Sequence, residues 1–126
     1  MKVVIITIVI LALFLGGAFY FAEYININSG KMLNNIDRLD QAVLAEDWES
    51  AQTQLQEIER DWIKILKVYE VILEHYDLDE INKTLVKIEK YIEVEEKNLT
   101  LGEISQLKFV VETIKEREVF SISNLF

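Results

Sequence analysis

The chain has 126 residues, a formal net charge of −9, and neither cysteine nor proline. Once its apolar start is set aside, about a hundred residues remain, enough for one small domain. The acidic balance repels nucleic-acid phosphates, and the lack of cysteine excludes disulfides, thiolate metal sites, cysteine nucleophiles and lipoprotein acylation.

Val3 to Ala22 holds one polar side chain, Thr7, and no charge. About 20 residues at 1.5 Å each span roughly 30 Å, the thickness of a bilayer's hydrocarbon core. The segment is apolar on every side, which a soluble core helix does not need, and Tyr20 and Tyr24 fall where interfacial aromatics gather. The sequence therefore predicts a signal anchor over residues 1–24, with the lipid bilayer as a partner through residues 3–22. The competing reading is a cleaved signal peptide cut between Ala18 and Phe19, but the apolar run continues past that point. Lys2 precedes the span while Lys31 and Arg38 follow it, so charge biases orientation only slightly. A very short N-terminal tail favours a cytoplasmic N-terminus and an extracytoplasmic C-terminal domain at the cell membrane. Ala12 and Gly16 form a small-xxx-small pair; a homo-oligomer through it is compatible with the sequence, although such pairs are ordinary in membrane spans.

Asn26 to Gly30 is polar and reads as a juncture over residues 25–30, although without proline the helix can run straight through it. Met32, Ile36, Leu39 and Val43 then make one stripe, giving a helix over 31–45. Asp47 is placed to cap a helix over 47–76. Its seam of Trp48, Ala51, Leu55, Ile58, Trp62, Ile65, Tyr69, Ile72 and Tyr76 alternates spacings of three and four. Asp77-Leu78-Asp79-Glu80 reads as a capping box opening a helix over 78–96, with Leu78, Ile81, Leu85, Ile88 and Ile92 inward. Thr100-Leu101-Gly102-Glu103 reads as a second box opening a helix over 101–117, with Ile104, Leu107, Val111 and Ile114 inward. The apolar tail from Val119 to Phe126 is expected to fold back. The expected fold is all-α: a transmembrane helix, then an antiparallel four-helix domain of staggered hairpins over 31–126.

The chemistry-bearing residues are sparse. His75 is the sole histidine, and its neighbours Asp77 and Asp79 do not share a helical face with it. A helix C-terminal cap therefore explains it better than a metal ligand. Trp48 and Trp62 obey the seam spacing and read first as core. A partner-binding reading would make them anchors, together with Tyr69 and His75. Glu93, Glu95 and Glu96, like Glu116 and Glu118, lack a calcium-loop pattern and read as a solvated face. Asn82-Lys83-Thr84 and Asn98-Leu99-Thr100 match the glycosylation tripeptide, which arises often by chance. No phosphate loop and no serine elbow beside the histidine is present, so no enzyme, metal or cofactor is expected.

Glu46-Asp47-Trp48-Glu49-Ser50-Ala51, Trp62, His75 followed by Asp77 to Ile81, Tyr91-Ile92 and the stripe from Leu107 to Ile114 stand in a distinctive order behind the anchor. In that order the chain resembles the bacterial domain-of-unknown-function family 4363, short single-anchor proteins of low-GC Gram-positive bacteria. The resemblance covers nearly the whole chain, including Asn124-Leu125-Phe126, and Tyr69 stands where a further tryptophan is expected. It implies the anchored helical architecture and assigns no activity. The expected role is a protein–protein interaction module that binds another membrane or extracytoplasmic protein. The alternatives are a carrier of a small apolar ligand between the helices and a secreted helical domain.

Overall fold

The computed structural model describes residues 1–123, the side chains of Ile72 and 119–123 excepted. All its regular elements are helices: α1 (Lys2–Leu44), α2 (Trp48–Ile72), α3 (His75–Glu93) and α4 (Lys97–Ser123). α1 packs on α2 and α4, and α3 packs on the same two, so the helices close a four-membered ring in chain order.

α1 is one unbroken helix of 43 residues, about 65 Å long at 1.5 Å per residue. The expected juncture at 25–30 is therefore corrected: it is helical, and Ile25 and Ser29 within it are buried. Polar composition suggested a loop there, but nothing in 26–30 breaks a helix, and Ser29 faces the bundle, where it meets the Tyr69 hydroxyl at 3.5 Å. Phe21 and Tyr24 also pack against the core, so the bundle starts about ten residues before the expected boundary at residue 31. From Val3 to Phe14 the large apolar side chains are exposed.

The core gathers the expected stripes. Met32, Ile36, Leu39 and Val43 of α1 are buried, as are Ala51, Leu55, Ile58, Trp62, Ile65 and Tyr69 of α2. The same is true of the expected inward residues of α3 and α4, joined by Thr84 and Val110. The α2 seam stops short at both ends: Trp48 is half-buried and Tyr76 is exposed, on α3. Ile72, the remaining seam residue, is among the side chains not described. Among the described residues, the buried serine and threonine hydroxyls have partners: Ser29 meets Tyr69, Thr84 donates to the Glu80 carbonyl at 2.7 Å, and Thr100 donates to the Glu96 carbonyl.

Helix ends differ most from expectation. Asp47 does cap α2, its carboxylate accepting from the Ser50 amide at 3.2 Å and the Ser50 hydroxyl at 2.8 Å. α1 and α3 share one stop. The residues after their caps, Glu46 (φ 56°) and Glu95 (φ 54°), are left-handed. The amides of Asp47 and Glu96 then reach back to the Ala42 and Tyr91 carbonyls at 2.9 Å. That stop starts α4 at Lys97, so the capping box at Thr100 is corrected: Thr100 lies inside the helix and donates backward. The box at Asp77 is corrected too. Leu73 and Glu74 are extended, Leu73 is buried, and α3 begins at His75. The carboxylate of Asp77 is engaged by Arg117 of α4. The tail expected to fold back lies outside the described residues, except that its backbone continues α4 to Ser123.

Candidate functional site

Of the residues singled out in the sequence, the structure brings together Trp62 and Tyr69. The heptad spacing puts both on the buried face of α2, where their rings meet edge to face at 6.1 Å between centroids. Tyr24 of α1 extends the column, 6.3 Å from Tyr69 and also edge to face. Each polar tip has a partner: the Trp62 indole donates to Asn82 Oδ1 at 2.7 Å, and Tyr69 meets Ser29. Burial is the main cause that raises the Tyr69 phenol above its ordinary pKa. The Ser29 hydrogen bond opposes the rise and Tyr24 adds to it. Tyr24 and Ser29 were missed in the sequence because they lie inside the segment read as anchor end and juncture.

The other two do not join them. Trp48 sits in the first turn of α2, at the far end of the bundle, half-buried over the core. His75 was expected to cap the end of α2; it opens α3 instead and is exposed, because the extended pair Leu73–Glu74 ends α2 three residues before it. Among the described residues, no group of three or more histidine, aspartate and glutamate side chains is arranged to hold a metal ion.

Around the Trp62–Tyr69 pair the described residues pack closely. The space bounded by Ser29, Met32, Trp62, Tyr69, Ile81 and Ile114 amounts to about 10 Å3, less than one water needs and far below the several hundred Å3 of a ligand pocket. An open groove of about 310 Å3 runs between α1 and α2, lined by Tyr24, Asn28, Lys31, Asp61, Lys64 and Ile65. Its residues include two ammonium groups and a carboxylate that accepts from Asn35 at 3.4 Å, and no nucleophile beside a base.

Among the described residues, ion pairs tie α4 to α1 and to α3 as well as joining neighbours within α3. Lys108 of α4 reaches Asp37 of α1 at 3.2 Å, and hydrogen bonding to that carboxylate raises the lysine above its ordinary value. Glu59 is raised by partial burial and by Glu89 across the α2–α3 seam. Glu118 is also raised, chiefly by burial; Arg117 opposes this while Asp77 and Glu74 add to it.

Fold and site together define a class: an all-helical chain whose long, apolar first helix enters a closed four-helix core. The family described as domain of unknown function (DUF4363) matches residues 19–125, and the chain belongs to it. The match opens two residues before Phe21, the first side chain that packs on the bundle. No curated protein and no solved structure matches the chain.

Proposed function

We propose that this protein is a single-pass membrane anchor carrying a non-enzymatic interaction module on the extracytoplasmic face. The observation that carries the reading is the composition of α1: one continuous helix with its first half apolar and exposed and its second half built into the core. Exposing residues such as Ile5, Ile8, Leu11 and Phe14 to water forfeits roughly 1.5–3 kcal/mol apiece, which a hydrocarbon environment returns. The helices run alternately up and down. Supporting this, partners of α1 fall along α2 as α1 rises, Ser29 meeting Tyr69 and Asn35 meeting Asp61.

A module that works by contact suits the close packing around Trp62 and Tyr69. The roughly 10 Å3 left beside Trp62 and Tyr69 is too small for the lined cavity that an apolar-ligand carrier needs at that point. Trp62 and Tyr69, being buried, serve as the core of the module, and the partner surface lies on side chains outside them. In-cell crosslinking of the full chain, followed by mass spectrometry, tests the reading. A recurrent protein partner is expected, and contacts confined to lipid and to the chain itself would overturn it.

One observation favours a second reading, release by cleavage after Ala18. Contacts with the bundle begin at Phe21, so such a cut removes nothing the core uses. The N-terminal residue of the mature chain separates the two.

A further inference from the structure

The end of the bundle nearest the apolar segment is fixed in height by α1, because no hinge separates the two. Helix continues through residues 26–30, Ile25 is fully buried, and Phe21 and Tyr24 pack on the core. Tyr69 of α2 touches Tyr24 with its ring and Ser29 with its hydroxyl. Val71, two residues further on, lies about 3 Å closer to the apolar segment. The chain then turns through Leu73 and Glu74 into α3, whose first turn carries Tyr76. α4 reaches the same level where Arg117 pairs with Asp77, and its backbone continues as helix for six residues, about 9 Å.

The α2–α3 turn thus lies within roughly 10 Å of the level of Ala22, where the apolar run ends. A headgroup layer is about 5–8 Å deep, and the side chain of a residue in the first turn of α3 leans toward the helix N-terminus, which is toward the apolar segment. Neighbouring helix axes stand about 9 Å apart, so a tilt of about 20° moves the turn by only about 3 Å. The turn presents Val71 at 82 % exposure and Tyr76 at 71 %. Exposure alone does not single out this end, since Leu44, Val94 and Leu99 are exposed at the other. The level does.

We propose that the α2–α3 turn is a second membrane contact, with Val71 and Tyr76 seated among the lipid headgroups of the leaflet that α1 enters. This rests on α1 crossing the bilayer. A tyrosine suits that layer because its ring is apolar and its hydroxyl remains hydrated. Glu70, Glu74 and Glu118 flank the turn, so the surface it accepts is zwitterionic; anionic headgroups would repel it. Gripped at two points, the bundle stands on the lipid surface and its distal end, with Glu46 and Glu95, points to the partner.

The chain has no cysteine, so single-cysteine variants carry a nitroxide at one chosen place. Full-length Phe14→Cys, Val71→Cys, Tyr76→Cys and Val94→Cys are labelled in phosphatidylcholine vesicles, and collision with oxygen is compared with collision with a water-soluble nickel complex. Expected is an oxygen-to-nickel ratio highest at position 14, intermediate at 71 and 76, and several-fold lower at 94. A deep reading at 14 with 71 and 76 indistinguishable from 94 overturns the second contact and leaves the anchor standing. A water-like reading at 14 overturns both. The three bundle positions are exposed, so the substitutions leave the fold intact, and unchanged helical circular dichroism confirms it.

Discussion

At the residue scale, three side chains test how the bundle is held. Glu59 is partly buried and feels the charge of Glu89, so the folded chain holds its proton more tightly than the unfolded chain does. Its charge therefore subtracts stability as pH rises from the ordinary glutamate range through the raised folded value, and remains a cost at neutral pH. Glu59→Gln should raise the urea midpoint at pH 7 and lose that advantage below the ordinary glutamate value. Asp47 has the opposite sign. Its carboxylate is held below its usual range by the Ser50 hydroxyl first and the Ser50 amide second. Its capping contribution is complete above the unfolded value and fades as pH falls through the folded one. Asp47→Ala should be less stable than the parent at neutral pH and match it more closely in acid, in thermal melts across that range. Trp62→Phe keeps an aromatic ring but removes the donor to Asn82, at a cost of about 1 kcal/mol in denaturant titration. Trp62→Ala should cost about 3–5 kcal/mol.

At the element scale, helix starts and stops were the least legible features. The left-handed stops at Glu46 and Glu95 carry no glycine, the usual mark of such a stop, so the ends of α1 and α3 had no signature to read. Threonine and acidic residues at box spacing point to Thr100 and Asp77, yet Thr100 donates back to the Glu96 carbonyl just before α4 and Asp77 accepts from Arg117. The stripes were legible because burial depends on a face, not on an end: Leu55, Ile58, Leu85, Ile88, Leu107 and Ile114 are all inside. The Tyr24–Tyr69–Trp62 column was only half legible, since Tyr24 and Ser29 lie in a stretch whose composition suggested a membrane edge and a loop. Left-handed glutamates are strained relative to glycine. Glu95→Gly should therefore stabilise the chain by about 1 kcal/mol, read as a higher melting temperature. α1 also sets how much of the chain the bundle requires. A chain starting at Phe19 should keep a cooperative thermal transition, whereas one starting at Lys31 loses Phe21, Tyr24, Ile25 and Ser29 and should melt early or without cooperativity.

At the scale of the whole molecule, an unbroken α1 joins the bundle to the apolar segment by continuous helix, with no loop between them. A domain on a stalk samples a wide volume, whereas this one would meet partners at a fixed height and orientation above the surface. Around Trp62 and Tyr69 the packing leaves only about 10 Å3, so the proposed partner would be met on the outer faces. The measurement that bears most directly on the proposed anchoring is the intact mass of the full-length chain recovered from alkali-washed cell membranes. Recovery in the membrane pellet with Met1 to Phe126 intact is the expected result. Recovery in the supernatant as a chain beginning at Phe19 would contradict it.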